Sequence, residues 1–321
     1  MKYKISAKYR CFVLLFEILT ILALLPFFYQ LIPINEQAQK VFYIDSSNPE
    51  DISKTLRKNG YLVTYIDKLS MQIAQTPKEG WYHLRPNHNR FLFFKHIYRQ
   101  KAKTMKIKIY AGESSDELIK RLSQDLKLDV TKLRYEYDKR TVFKEGDIIA
   151  GDYLVARKAN EKAVMDFLFT VSKKKLDNFI QNNFEKEPTK EMLNRILTIA
   201  SIIQKETNNV SEMPIISSVI YNRLNQGMKL QMDATLNYKD KSHTIVTPEM
   251  IKNDNSHYNT YKYKGLPPTP IGTVTLDAIH AALHPMKSNY IFFMLQRDGT
   301  HAFASTYEKH IENIKKFKNK R

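Results

Sequence analysis

One stretch near the amino terminus constrains this chain more than any other. From Cys11 to Ile34 it reads CFVLLFEILTILALLPFFYQLIPI, an apolar run of 24 residues. As a helix rising about 1.5 Å per residue, it would extend about 36 Å, enough to cross a bilayer with some tilt. Lys2, Lys4, Lys8 and Arg10 precede it without an acidic residue. A basic flank stays on the cytoplasmic side, so residues 1–10 are expected inside and everything after Pro33 outside the inner (cytoplasmic) membrane. A cleaved signal would have a shorter apolar region ending in small residues. This run ends in Phe27, Phe28, Tyr29, Leu31 and Ile32, which favours a single uncleaved anchor. Glu17 interrupts it. Burial of a carboxylate near mid-membrane costs about 3 kcal/mol, and a protonated or snorkelling Glu near the helix start accounts for it more simply than a membrane partner.

The rest of the chain is long enough for about two domains, and 43% hydrophobic residues exclude wholesale disorder. One cysteine, Cys11, excludes an internal disulfide framework and a cysteine-based zinc site. The net charge of +18 points to anionic surroundings. The lysines are scattered and no nucleic-acid-binding signature accompanies them, so no nucleic acid is expected as a partner. Carboxylates outside the membrane, or a genome-wide lysine bias, suit the charge better.

Residues 35–156 pattern as two small α/β modules. In the first, VFYI (41–44) suggests a strand, SSNPEDISKTLRKNG a helix stopped at Gly60, and YLVTYI (61–66) a second strand. The aromatic stretch GWYHLRPNHNRFLFFKHIYRQ, with Trp81, is expected to form core. In the second, MKIKIY (105–110) alternates as a strand, Ser114 or Ser115 can cap a helix with Leu118, Ile119 and Leu122 on one face, LDVTKLRYEY suggests another helix, and FKEGDIIAGDYLVA a returning strand pair. This layout resembles a LysM-like fold, a module that usually binds polymers containing N-acetylglucosamine. Residues 157–188 pattern as a lysine-rich helical connection to a last domain, 189–321. The fold class expected is therefore α+β, with a transmembrane helix, small modules and an α+β carboxy-terminal domain.

In that last domain, TKEMLNRILTIASIIQKET places Met192, Ile196, Ile199, Ile203 and Glu206 on one helical face. A carboxylate thus continues an apolar stripe. Poor solvation raises a carboxyl pKa, and a Glu protonated near neutral pH is what a general acid requires. On spacing alone, a helix-end Glu that turns to solvent or pairs with a nearby Lys or Arg is the simpler reading. SEMPIISSVIYNRLNQG then suggests a helix with Ser211 as cap and Gly227 as stop. MKLQMD suggests a strand placing Gln231 and Asp233 together, with Asp233 capping a helix ATLNY. The end reads as a strand, an Asp298–Gly299 turn, a strand and a helix opened by a Ser305/Glu308 capping box. His280 and His284 are spaced like zinc ligands, but no third ligand accompanies them, so no metal or other cofactor is expected.

The segments ASIIQKET, VIYNRL, GMKLQMDATLNY, YNTY, GLPPTPI, LDAIHAALHP and YIFF…DGTHAFASTYEKH, in this order, resemble the endolytic murein transglycosylases of the MltG (YceG-like) family. GWYHLRP is similar to that family's early Gly-x-Tyr segment. The resemblance implies that Glu206 is the catalytic residue. Gln231, Asp233 and Thr235 fall on its strand-to-helix motif, and Asn259 and Tyr261 on its loop motif. With Tyr258, these are the candidate substrate-binding residues. The substrate implied is the β-1,4 bond between N-acetylmuramic acid and N-acetylglucosamine in nascent glycan strands, opened to a 1,6-anhydro end so that strand length is limited. Proximity to peptidoglycan synthases is implied as well. After Ile271 the chain carries GTVT where the family usually has an Asn-Pro-Gly-like turn. A non-catalytic wall-binding scaffold and a muramidase that uses water are the alternatives.

Overall fold

The computed structural model describes residues 7–34, 37–73, 75–85, 88–99, 101–238, 242 and 244–318. Lys2 and Lys4 of the basic flank lie outside them. About half of the chain is helical, and the strands pair as three two-stranded sheets among the described residues, an α+β architecture. Two compact units are distinguished: Met1–Met105 with Val155–Ala163, and Lys106–Leu154 with Val164–Arg321.

The first unit opens with α1 (Ala7–Leu31), whose side chains are almost all exposed and apolar. It is the one helix among the described residues long and apolar enough to cross a membrane. Next come β1 (Val41–Ile44), α2 (Pro49–Lys58), α3 (Tyr65–Ile73), β2 (Gly80–His83) and α4 (Arg90–Arg99). Antiparallel pairing sets Phe42 opposite Tyr82 and Tyr43 opposite Trp81. Phe42, Ile52, Leu56, Tyr61, Tyr82 and Phe93 close the core. Trp81, Tyr82, Phe93 and Phe94 are buried, as core aromatics should be.

YLVTYI is not a strand. Thr64 and Asp67 satisfy each other's backbone groups: the Thr64 N–H donates to Asp67 Oδ2 (2.8 Å) and the Asp67 N–H to Thr64 Oγ1 (3.3 Å). This reciprocal cap starts α3 at Tyr65 and overrides the β-propensity of the run. The partner of β1 is β2 instead.

The second unit begins with β3 (Thr104–Ile109), α5 (Ser115–Leu126), α6 (Val130–Asp138) and β4 (Gly151–Ala156). β3 and β4 pair, so the order is strand, helix, helix, strand. The capping serine is Ser114, in a full capping box with Glu117. FKEGDIIAGDYLVA yields one strand rather than two, because Ile149 bridges to Val274 instead of folding back. α7 (Glu161–Asn183) leads to α8 (Lys190–Glu206), α9 (Met213–Asn225), the short α10 (Asp233–Leu236), α11 (Pro248–Asn253), α12 (Leu276–Leu283), the hairpin β5 (Phe292–Leu295) and β6 (His301–Ala304), and α13 (Tyr307–Lys318). α8 is the central element, packed against α9 and α12. Ile196, Ile199 and Ile203 are buried in the main core, while Met192, in the first turn, is 44% exposed.

Three local expectations change. Residues 228–232 form no strand, since Gln231 has φ +48° and turns the chain. α9 starts at Met213 without a side-chain cap, and Ser211 bonds to Asn209 Oδ1 instead. Thr306 rather than Ser305 opens α13, accepting from the Lys309 N–H (3.3 Å).

Candidate active site

α8 carries Glu206 as its last helical residue. Thr189 caps the start of α8 by accepting from the Met192 N–H, and Thr207 ends it with extended backbone, φ −149°. The apolar stripe buries the helix, so its final side chain is delivered beside the core. Glu206 Oε1 is sealed from solvent and has no hydrogen-bond partner. Burial raises the pKa of this carboxyl to about 7, with the Asp233 charge adding to the effect; the Ala234 N–H and the Arg223 charge oppose it. A carboxyl with that pKa is protonated in a large fraction of molecules near neutral pH, and its Oε1 is left without a partner inside the protein.

The surroundings are built from α9, α10 and the loop after α11. Arg223, in the VIYNRL segment of α9, is buried. Its Nε donates to the Ile291 carbonyl (2.6 Å), its Nη1 to the Leu230 carbonyl, and its guanidinium lies 5.6 Å from the Phe292 ring centre. Asp233 does not cap α10; the cap position is Met232, without a side-chain bond. Asp233 is exposed and accepts from the Tyr261 hydroxyl. Burial raises the pKa of that hydroxyl, and the Asp233 hydrogen bond raises it further. Glu206, Asp233, Tyr261 and Arg223 therefore interact as one electrostatic group.

The other candidates divide into scaffold and rim. Thr235 and Asn259 are buried. The Thr235 hydroxyl bonds to the Thr260 hydroxyl (2.9 Å) and the Met232 carbonyl (2.7 Å). Asn259 Nδ2 donates to the carbonyls of Ile251 and Asp254, and its Oδ1 accepts from the Tyr261 N–H (3.1 Å). Both side chains are spent holding the loop that presents Tyr261. The Tyr258 hydroxyl pairs with Thr269 Oγ1 (2.6 Å), and its ring packs 4.9 Å from Tyr238. Gln231 is exposed on its left-handed backbone, its N–H held by the Thr260 carbonyl.

A second layer lies behind α8. Ser201 Oγ accepts from the Ile271 N–H (3.0 Å), and Gln204 Oε1 accepts from both the N–H and the hydroxyl of Thr275. Between those anchors the GTVT segment pairs with the second module. The Gly112 N–H donates to the Thr273 carbonyl (2.9 Å), the Thr273 N–H to the Glu113 carbonyl (2.8 Å), and the Ala150 N–H to the Val274 carbonyl (2.8 Å). A Cβ on Gly272 would stand 2.7 Å from the Gly112 carbonyl oxygen, so only glycine allows this approach. Lys205, next to Glu206, is partly buried; burial lowers its pKa against the pull of Glu117 and Glu145. Glu145 is buried and accepts from the Ser115 N–H and hydroxyl (both 2.8 Å) and the Tyr238 hydroxyl (3.2 Å). Burial raises its pKa to about 7 despite these bonds. Arg223, Lys205 and Glu145 were not singled out by the sequence patterns. Only Arg223 carried a signal, as the one charged residue in the helix MPIISSVIYNRLN. Among the described residues no group of three His, Cys, Asp or Glu side chains is arranged to hold a metal ion. The His280 and His284 rings lie 4.6 Å apart.

The model of the YceG-like family matches residues 43–316. An endolytic murein transglycosylase of Bacillus subtilis is 35% identical over 41% of this chain and 37% of its own length. One of Streptococcus pneumoniae is 29% identical over 53% of this chain and 31% of its own. The matched part thus spans about a third of these curated relatives. A crystal structure from Listeria monocytogenes, described as YceG-like, covers 87% of this chain and all of that one, with TM-score 0.55 and 24% identity, a likeness of fold.

Proposed function

Because the chain belongs to the YceG-like family, we propose that it is a membrane-anchored lytic transglycosylase acting on peptidoglycan, with Glu206 as its proton donor and acceptor. The observation that carries this reading is the sealed, unpartnered Oε1 of Glu206 on a carboxyl whose pKa stands at about 7.

The chemistry follows from that state. Protonated Glu206 gives its proton to the oxygen linking N-acetylmuramic acid to N-acetylglucosamine as the bond to the anomeric carbon breaks. Positive charge develops on the muramyl ring. The ring's own 6-hydroxyl oxygen then bonds to the anomeric carbon and passes its proton to ionised Glu206, which regenerates the acid. The product is a 1,6-anhydro end, and no water is consumed. An internal hydroxyl held near the reacting carbon has a large entropic advantage over water. In this reading Asp233, steadied by Tyr261, faces the developing charge from the rim, and Gln231 and Tyr258 contact sugar groups. Thr235 and Asn259 act indirectly, by fixing the loop.

The same reading has α1 hold the enzyme in the inner (cytoplasmic) membrane, amino terminus inside and the remainder periplasmic. Cleavage there, beside the synthases, would limit the length of nascent strands. The paired strand-helix-helix-strand module would bind N-acetylglucosamine-containing glycan as a LysM-like element. Incubating the full chain in detergent with purified sacculi and identifying new chain ends by mass spectrometry tests the activity. Anhydro ends that vanish in Glu206→Gln support it. Reducing ends indicate a muramidase, and intact strands indicate a scaffold.

A further inference from the structure

α3 is built inside out. Its buried positions are Asp67 and Met71, and Asp67 is occupied by Arg90 (3.3 Å). Apart from Gln72, its exposed side chains are apolar or aromatic: Tyr65 is 70% exposed, Ile66 53%, Leu69 42% and Ile73 77%. Leu62, just before the helix, is 63% exposed. Within α3, positions 66, 69 and 73 step by three and four, a single stripe that Leu62 precedes. At the start of α4, Phe91 and Leu92 are also exposed, with Lys95 Nζ 5.9 Å from the Phe91 ring centre. A water-facing stripe of this kind invites association, so its location decides its meaning.

That location is the end of α1. The Tyr29 hydroxyl, in the last turns of α1, bonds to Thr64, the residue that caps α3. The Leu62 N–H donates to the Ile34 carbonyl (3.0 Å). Arg90 donates to the carbonyls of Ile32 (3.3 Å), Pro33 (3.1 Å) and Leu62 (2.8 Å), and its guanidinium covers the Tyr29 ring at 4.8 Å. The chain leaves α1 at Leu31 and is already bonded to this module at Ile32, so no slack separates them. The cap of α3 stands level with the final turns of the apolar helix.

We propose that α3, together with Leu62 and Phe91, lies in the headgroup–acyl boundary of the bilayer that α1 crosses, seating the first module on the membrane surface. Tyr65 is an interface-preferring aromatic, and Phe91 adds apolar area to the same face. An interfacial helix buries its apolar face about 5–10 Å into the boundary. Lys95 and the exposed Arg99 on α4 suit anionic headgroups. The proposal rests on α1 being a membrane span.

The test uses the full chain, with Cys11→Ser, in nanodiscs of phosphatidylethanolamine and phosphatidylglycerol holding one copy each. An environment-sensitive fluorophore is attached to Leu69→Cys, to Lys54→Cys on the exposed side of α2, or to Leu22→Cys within α1. All three sites are exposed, so folding should tolerate the changes. The Leu69 probe is expected to be quenched several-fold more than the Lys54 probe by a nitroxide lipid labelled just below the headgroup, and shielded from aqueous iodide. The Leu22 probe should respond to a deeply placed nitroxide. Equal iodide access at 69 and 54, with Leu22 in lipid, overturns the seating of α3 alone. Protection of 69 only in discs with two copies assigns the face to a second chain and also overturns it. Iodide access at 22 removes the span itself and the seating with it.

Discussion

The Tyr261 hydroxyl donates to Asp233 Oδ1, and Asp233 is the like charge that adds to the burial of Glu206 in raising its pKa. Removing that charge eases ionisation of Glu206. Asp233→Asn should therefore move the alkaline limb of the pH–activity profile toward lower pH, by less than burial itself contributes. Initial rates of strand cleavage against pH would measure it. A limb that stays put or moves upward would show that the two carboxylates do not communicate.

Glu206→Gln should cost at least about 100-fold in cleavage rate, the usual worth of a general acid. It should also change stability with a definite sign. The carboxyl pKa is about 7 in the folded chain against 4.5 ordinarily, so the wild type loses stability as pH rises through that interval. Glutamine carries no such penalty. At pH near 8 the variant is expected to be more stable by up to about 3 kcal/mol, and near pH 4 the difference should vanish. Denaturant unfolding at both pH values separates this from a general loss of packing.

Gly272→Ala and Gly265→Ala make a contrasted pair. At 272 the added methyl meets the Gly112 carbonyl at 2.7 Å, and backbone must shift; about 1–3 kcal/mol should be lost. At 265 nothing lies within 4 Å, but φ is +91°, so only the left-handed backbone resists, at about 1 kcal/mol. Unfolding midpoints that fall equally would mean that the approach of 272 to the module is looser than 2.7 Å implies.

Glu212 holds the exit of α8. It accepts from the His301 N–H and Nδ1 (both 2.8 Å) and from the Thr207 hydroxyl (3.3 Å). Burial opposes its charge, but the His301 bonds hold its pKa below the usual range. Glu212→Ala orphans these buried donors and should destabilise by about 2–4 kcal/mol. In the wild type this contribution should fade as pH drops below about 4. A urea series across acidic pH would reveal both.

Local rules carried a good part of this architecture. The period of α8 set Glu206 at the end of an apolar stripe but did not decide whether it would turn to solvent, and a serine at 114 or 115 announced the start of α5. The Asp298–Gly299 turn formed as its residues require, Gly299 taking φ +83°. What local rules missed depended on partners far along the chain. Thr64 and Asp67 turned a strand-like run into a helix start, while Arg90, 23 residues away, made burial of Asp67 tolerable. Asp233 looked like a cap, yet its partner is Tyr261, brought by a loop. Glu145 sits in an ordinary turn-like FKEGD segment, and only the approach of Ser115 and Tyr238 makes its environment unusual. Charges buried through tertiary contact leave no periodicity to read.

The hydrogen-bonded clasp on Thr273 and Val274 sets where this chain can be cut. A fragment beginning near Thr189 would strip the partners from one flank of Ile271–Thr275 and bare a backbone edge beside α8. Such a truncation invites misfolding whatever the quality of its core. Any shortened form meant to retain Glu206 in its native setting needs to start ahead of Lys106, so the small module is better regarded as part of the framework around α8 than as a detachable accessory.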